Sequence, residues 1–151
     1  MKISIVRADP RNFVLFLQAS DNYLAWLYPA ASNHLLDVET LRQPQMQFFS
    51  VTVDGVAKGC GGFWAHADYV EIKRVWIDPA ARGLGLAKKL MRGIEDEAGK
   101  LHLKIARLET GIYQPEALSL YRALGYVECA PFGNYKLDPL SIFMEKTLAV
   151  D

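Results

Sequence analysis

The sequence of 151 residues predicts an α+β (mixed α/β) fold in which helices pack on one central sheet. In the first half, apolar and polar residues alternate in short runs, and Asp54-Gly55 between two of these runs is a strong β-hairpin signal. In the second half, strand-like runs alternate with helical patterns. Hairpins followed by strand–helix alternation are typical of an α+β sandwich around one sheet.

The N-terminal elements follow from periodicity and chain breakers. Residues 2–7 alternate apolar and polar side chains, as a half-buried strand does, and Pro10 lies beyond the end of the run. Apolar residues between 13 and 27 indicate one or two helices, and residues 38–42 form a short helical piece. Three strands are then predicted, at residues 47–53, 56–66 and 70–77.

The C-terminal half contains the clearest helix of the chain. Between residues 87 and 98, apolar side chains recur at steps of three and four, and Gly99 marks the end of the pattern. A second helix is predicted between Pro115, near its first turn, and Gly125, just past its last. Strands are predicted at residues 101–109, 126–130 and 141–148, and the whole chain, 1–151, is predicted to be one domain.

Composition limits the classes of function. Formal net charge is +0 and the pI is about 6.8, which argues against nucleic acid or an anionic membrane as a general partner. The sequence offers neither a long apolar span nor a signal peptide, so we expect a cytoplasmic protein. Cys60 and Cys129 are expected to be small buried side chains rather than a disulfide, and Cys–His metal spacing is absent, so no metal is predicted.

Residues 75–90 form a strand, a glycine turn and the start of a helix. The first N–H groups of a helix have no internal partner and carry partial positive charge, so this arrangement binds phosphate. Gly83 and Gly85 allow a pyrophosphate to approach the main chain. Neither a Walker A loop nor the GxGxxG dinucleotide fingerprint is present. The spacing that fits is Arg82-x-x-Gly85-x-Ala87.

This loop resembles the acetyl-coenzyme A loop of the GNAT family of N-acetyltransferases, whose pattern is Q/R-x-x-G-x-G/A. Residues 70–77 resemble the family strand that precedes the loop, and residues 117–126 resemble its A-x-x-L-Y-x-x-x-G-F/Y segment. Residues 32–37 and 131–146 are similar to a bacterial subgroup of mostly uncharacterised members, some of them labelled as acting on indole-3-acetic acid. The resemblance implies a mixed, mostly antiparallel sheet flanked by helices, and acetyl-coenzyme A as cosubstrate.

The resemblance also implies a set of coenzyme-binding residues. Gln114 stands three residues before Ala117, where the family often has Asn, so its reach toward pantetheine differs. Backbone groups of Val75 and Ile77 match the strand positions that pair with pantetheine. The predicted coenzyme-binding residues are Val75, Trp76, Ile77, Arg82, Gly83, Leu84, Gly85, Leu86, Ala87, Lys88 and Gln114.

Acetyl transfer to an amine requires a lone pair on nitrogen. An amine of pKa about 10.4 is protonated at pH 7, and freeing the lone pair costs roughly 4.6 kcal/mol, so a base assists. Glu71 is the predicted general base; the alternative is that it only pairs with Lys73 or Arg74. Tyr121 matches the family tyrosine that donates a proton to the coenzyme sulfur, and the alternative is a role in the core.

Four residues are predicted to line the acceptor pocket: Asn33, His34, Arg74 and Tyr135. The predicted function is N-acetyl transfer by direct attack on a small-molecule amine or on a peptide or protein amine. An acyl-coenzyme A sensor without turnover and an O-acetyltransferase are the alternatives. Aromatic residues around Phe48-Phe49 and between Tyr135 and Phe143 also suggest a homodimer interface on an edge strand.

Overall fold

Within the residues that the computed structural model describes, 1–30 and 37–149, seven strands form one sheet in the order β1-β2-β3-β4-β5-β7-β6. The strands are β1 (Ile3–Arg7), β2 (Met46–Val53), β3 (Val56–Ala65), β4 (Val70–Ile77), β5 (Ile105–Gly111), β6 (Val127–Glu128) and β7 (Ser141–Thr147). The helices are α1 (Val14–Leu27), α2 (Val38–Leu41), α3 (Leu86–Gly99) and α4 (Pro115–Ala123). The predicted α+β class, with its mixed and mostly antiparallel sheet, is confirmed.

The neighbouring strands β4 and β5 are parallel, whereas every other pair is antiparallel. Their pairing is short, because only Val70 with Ala106 and Glu71 with Arg107 are in register. Beyond Glu71 the two strands separate, and the sheet opens toward the end of β4. This separation is the feature of the fold that creates the site described below.

The fifth and sixth strands differ most from their predicted bounds. The fifth strand begins at Ile105 rather than at residue 101, because the amides of Leu101 and His102 bond back to α3 carbonyl groups and prolong the helical turn. His102 has a φ of 61°, a left-handed conformation that a strand does not contain. The sixth strand covers only Val127–Glu128, because only these two residues pair in register with β7.

The sheet buries apolar side chains on both faces. Helix α3 covers one face with Leu90, Met91, Ile94 and Ala98, all of which are fully buried. The other face is covered by α1 and α2 and, farther along the sheet, by a cluster of Tyr69, Phe132 and Phe143. The amphipathic pattern predicted for residues 87–98 is therefore confirmed, and its apolar side chains form the contact between α3 and the sheet.

The premise that the aromatic residues of the predicted homodimer interface lie on an edge strand is wrong, because β2 lies between β1 and β3 and β7 lies between β5 and β6. Phe48 and Phe49 lie on β2 inside the sheet and are each 2% exposed, and Phe143 is also buried within the chain. The homodimer itself stays a prediction.

Cys60 and Cys129 are free thiols, and burial raises the pKa of the Cys60 thiol to about 12. None of the described helices has the length and apolar character needed to cross a membrane.

Candidate active site

A cavity of about 760 Å³ lies where β4 and β5 separate. Its walls come from β4, the glycine loop, the first turn of α3, β5, α4 and one side of α1. Residues far apart in the sequence meet there because β5 follows α3 and returns parallel to β4. The cavity is of the size that binds a small molecule.

A β-bulge in β4 decides which side chains face the cavity. Gly62 pairs with Lys73 and Cys60 with Trp76, so one residue of β3 lies opposite two of β4. The additional residue, Arg74, has a φ of 63°. Because of this residue, Ile72 and Ile77 both pack against the α3 side although they are five positions apart.

The glycine loop connects the end of β4 to the first turn of α3, in the order strand, turn and helix that the sequence predicts. Gly83 and Gly85 have φ angles of 89° and 72°, in the left-handed region that favours glycine. Gly85 is the N-cap of α3 and, within the described chain, no side chain caps the first turn. The N–H groups of that turn therefore remain available to a ligand at the cavity.

The other predicted coenzyme-binding residues of the loop fall into two groups. One group lines the cavity together with Val75, Trp76 and Ile77 of β4, and it consists of Arg82, Gly83, Gly85, Leu86, Ala87 and Lys88. Leu84 is 46% exposed and is not among the described residues that line it. The guanidinium group of Arg82 lies 4.9 Å from the centre of the Trp76 ring. This contact places a positive charge next to the loop.

Glu71 lies at the centre of a polar cluster and is 6% exposed. Its Oε2 accepts hydrogen bonds from Lys73 Nζ at 3.0 Å and from the Tyr135 hydroxyl at 2.5 Å. Lys73 Nζ also donates to the Tyr135 hydroxyl oxygen at 2.7 Å. The other oxygen, Oε1, lies 3.2 Å from His66 Nε2. Of the two ion-pair partners predicted for Glu71, the structure therefore contains Lys73 and not Arg74.

The surroundings of Tyr135 favour its neutral form. Burial, followed by the nearby Glu71 carboxylate, raises the pKa of the phenol above its ordinary value. The ring packs against Phe132 and Phe143, which holds the hydroxyl over Glu71. Tyr135 also lines the cavity, and its role in binding the acceptor stays a prediction.

Arg74 is held by α1. Its Nη1 forms an ion pair with Asp21 Oδ1 at 2.6 Å, and its Nη2 donates to the carbonyl oxygen of Leu17 at 3.1 Å. These contacts tie the bulge in β4 to α1. Arg74 Nε and Trp76 Nε1 are buried and have no hydrogen-bond partner among the described residues, and both side chains belong to residues that line the cavity.

Tyr121 and Gln114 reach the cavity from α4 and from the residue before it. The half-buried Tyr121 ring packs edge-on against Tyr126 and against the α3-side core, so the alternative core role is also present in the structure. Burial raises the pKa of its phenol to about 12. Gln114 Oε1 accepts a hydrogen bond from the Tyr28 hydroxyl at 3.2 Å. This bond connects the start of α4 to the end of α1.

Sequence reasoning missed Glu109. It lies on β5, lines the cavity and accepts a hydrogen bond from Ser141 Oγ to its Oε2 at 2.7 Å. An acidic residue in a strand of mixed apolar and charged residues is a weak signal, and only the neighbouring position of β4 and β5 brings Glu109 to the same cavity as Glu71. Lys73 was considered only as an ion-pair partner, although it also lines the cavity.

Two predicted acceptor-pocket residues, Asn33 and His34, lie outside the described residues. Among residues 1–30 and 37–149, no three His, Cys, Asp or Glu side chains are grouped as a metal site requires.

Comparisons with known proteins agree with this geometry. A model of the Acetyltransferase (GNAT) family matches residues 13–126. A protein from Azospirillum brasilense named IAA acetyltransferase is 42% identical over 150 residues, which cover 97% of this chain and 98% of that protein. A crystal structure from Klebsiella pneumoniae subsp. pneumoniae, provisionally described as an acyl-CoA N-acyltransferase, matches with a TM-score of 0.82 at 33% identity and 97% coverage of both chains.

The fold is also that of the PaiA N-acetyltransferase from Thermoplasma acidophilum, which was crystallised in complex with coenzyme A. That match has a TM-score of 0.72 at 16% identity and covers 97% of this chain and 99% of the other. The family model and the relatives above 30% identity show that the chain is an acyltransferase enzyme. The chain belongs to the GNAT acetyltransferase family.

Proposed function

We propose that this enzyme transfers the acetyl group of acetyl-coenzyme A to an amine by direct attack, with Glu71 as general base. The observation that supports this most is that the uncapped first turn of α3 and the buried carboxylate of Glu71 both border one cavity. The free N–H groups of the helix turn suit a pyrophosphate, and the Glu71 carboxylate suits an amine that must lose a proton. The names of the relatives support the acetyl group as the group transferred.

In this proposal the coenzyme lies along the loop and β4. The N–H groups at Gly83, Gly85 and the first turn of α3 bind the pyrophosphate, with the positive charges of Arg82 and Lys88 beside it. The pantetheine arm runs along β4 at Val75 and Ile77, where the separation of β4 from β5 leaves the strand edge without its partner. Gln114 and the side chains around it enclose the thiol end.

The chemistry balances with the residues at the cavity. The amine nitrogen forms a bond to the acetyl carbon and the carbon–sulfur bond breaks. An acceptor that arrives as an ammonium ion loses two protons from nitrogen, of which one ends on sulfur and one leaves the site. We assign Tyr121 as the acid: it gives its hydroxyl proton to sulfur, and one of the two protons from nitrogen restores it. Glu71 as base accepts the other proton, either directly or through Tyr135 or a water molecule.

Glu109 is a second candidate for the base. It lines the same cavity from β5, and a carboxylate is suitable in chemistry at either place. Glu71 is preferred because it is more deeply buried and because Tyr135, which lines the cavity, bonds directly to it. Isosteric variants of the two residues distinguish them, as described in the Discussion.

The proposed acceptor is a small-molecule amine or a peptide or protein amine. The proposed enzyme is a single-domain protein that forms a homodimer and acts in the cytoplasm. The test is a panel of polyamines, amino acids and short peptides with free amines, each compared with an alcohol of similar shape. Release of coenzyme thiol is measured together with a mass increase of one acetyl group on the acceptor. An assay without acceptor corrects for thioester hydrolysis.

Acetylation restricted to amines supports the proposal. Acetylation of the alcohols alone contradicts it in favour of O-acetyl transfer. Calorimetric binding of acetyl-coenzyme A without thiol release on any acceptor contradicts it in favour of a sensor. Light scattering at micromolar concentration tests the homodimer separately. If it shows only a monomer, the homodimer is rejected and the proposed reaction is unaffected.

A further inference from the structure

The proton that leaves the amine must also leave the protein. If the proposed function is correct, each turnover that begins with an ammonium acceptor releases one proton to solvent. Glu71 borders the cavity but is itself only 6% exposed, so its contact with bulk water is small. A base that stays protonated cannot serve the next turnover. A neighbouring group with more contact with water can help Glu71 to lose the proton.

The two oxygens of Glu71 face in different directions. Oε2 bonds to Tyr135 and Lys73, both of which line the cavity. Oε1 lies 3.2 Å from Nε2 of His66, whose side chain is 32% exposed and which is not among the described residues that line the cavity. Glu71 thus connects a group on the cavity side to a titratable group on the solvent side.

We propose that His66 carries the proton from Glu71 to solvent. Tyr135 accepts a proton from the amine nitrogen on its hydroxyl oxygen and passes its own proton to Glu71 Oε2. The protonated Glu71 turns its carboxyl group so that the proton received at Oε2 faces Nε2 of His66, and neutral His66 accepts it and becomes imidazolium. The imidazolium then releases one ring proton to water through its exposed part, and the carboxylate is restored. The proton left on Nε2 moves to Nδ1 through water, so that Nε2 can accept again. Imidazole is suited to this role because it gains and loses a proton near neutral pH.

The position of His66 is well defined. Its ring stacks on Tyr69 with 4.3 Å between ring centres, and its backbone N–H donates to the Tyr69 carbonyl oxygen at 2.9 Å. These contacts within the β3–β4 turn hold Nε2 toward Glu71. The charged and titratable groups around the route are Lys73, Tyr135, Glu109, Tyr69, Asp68 and Arg107.

Lys73 is a poor candidate for the same task. Its ammonium group has donors only, and it already donates to Glu71 and to Tyr135. Its side chain is 11% exposed, so its contact with water is smaller than that of His66. We assign Lys73 the role of holding the Glu71 carboxylate and the Tyr135 hydroxyl in position, and not that of carrying the proton away.

The test replaces His66 by Gln, whose amide keeps a hydrogen bond to Glu71 but does not take up a proton at neutral pH. With an acceptor identified by the amine panel, we expect kcat of His66→Gln to fall by roughly 10²-fold, the low end for acid–base groups. The affinity for acetyl-coenzyme A and the KM of the acceptor should stay the same. Added imidazole should restore much of the lost turnover, since a small base in solvent can accept the proton in place of His66.

The control is His102→Gln, an exposed histidine in the turn after α3, which should leave turnover and its response to imidazole unchanged. Full turnover of His66→Gln overturns the proposal, and so does a loss that imidazole does not restore, because that loss reflects structure and not proton transfer. Failure of the wild-type enzyme to acetylate any amine instead contradicts the proposed function itself. The two failures are therefore distinguishable.

Discussion

The hydroxyl of Tyr126 donates a 2.7 Å hydrogen bond to Oε2 of Glu95, a carboxylate on α3 that is 9% exposed. Lys146 Nζ of β7 donates to the other oxygen at 2.8 Å. Burial, followed by the charge of Glu95, raises the pKa of the Tyr126 phenol. The three side chains connect α3 to the far part of the sheet, and α3 is the helix whose first turn borders the cavity.

The first prediction concerns this connection. Tyr126→Phe removes a hydrogen bond to a charged group in a buried place, which is worth about 1.5–3 kcal/mol. We expect urea unfolding to show a loss of unfolding free energy in that range with an unchanged m-value. Tyr113→Phe is the matched control because Tyr113 is 50% exposed, and it should stay within about 0.5 kcal/mol of the wild type. Equal losses in both variants would contradict the role of Glu95.

The second prediction separates backbone strain from ligand binding. Gly85 and Gly55 have φ angles of 72° and 83°, and a Cβ built on either meets no atom within 4 Å. Alanine at either position should therefore cost about 1–2 kcal/mol of stability through backbone conformation alone. Gly85→Ala should also weaken acetyl-coenzyme A binding by about tenfold or more in calorimetry. Gly55→Ala, in the hairpin turn, should bind as the wild type does, and equal affinities would reject the loop assignment.

The third prediction distinguishes the two carboxylates at the cavity. Glu71→Gln should lower kcat by roughly 10² to 10⁴-fold, because the amide cannot accept the proton of the amine. Glu109→Gln should have a smaller effect on kcat, since Glu71 is more deeply buried and is the carboxylate to which the Tyr135 hydroxyl donates. Coenzyme affinity should be nearly unchanged in both, as measured by calorimetry. If Glu109→Gln loses more turnover than Glu71→Gln, the base is Glu109.

The fourth prediction concerns the leaving thiolate. Tyr121→Phe removes one O–H group and nearly preserves the packing against Tyr126. We expect kcat to fall on the order of 10²-fold, with a smaller change in the KM for acetyl-coenzyme A, as for a donor that acts in the transition state. Steady-state assays with an established acceptor measure both. Undiminished turnover would leave Tyr121 as a residue of the core.

The fifth prediction follows from the sign of the Tyr121 shift. The folded protein holds this phenol at a pKa of about 12, above the value of about 10 in an unfolded chain. Its contribution to stability is therefore complete below pH 10 and is lost as the pH rises toward 12. The unfolding free energy of the wild type should fall more steeply over this window than that of Tyr121→Phe. Identical slopes would contradict the raised pKa.

The acceptor-side cluster was only partly predictable from sequence. Glu71 and Tyr135 were each predicted near the acceptor, but their contact joins residues that are 64 positions apart. No local pattern encodes it, because it depends on how the loop before β7 crosses the sheet. His66 gave no signal of its own, since its relation to Glu71 arises from the β3–β4 turn and the stack on Tyr69.

By itself, the sequence determined the local elements. The alternating runs, the Asp54-Gly55 turn and the amphipathic stretch of α3 depend on neighbours in the chain, so periodicity and residue type were enough to predict them. The phosphate-binding role of the glycine loop stays a prediction. The start of β5 was missed because helical turns continue past Gly99, and no residue in that stretch marks the change.

Only the tertiary structure decided where the chemistry lies. The cavity lies where β4 and β5 pair at two positions and then separate, and α3, which connects the two strands along the chain, packs against the sheet. Strand order and side-chain packing are interactions between distant segments, so they leave no periodic signal in either segment. They bring Glu109 and Glu71 to one cavity, and they place one oxygen of Glu71 next to Tyr135, which lines the cavity, and the other next to His66.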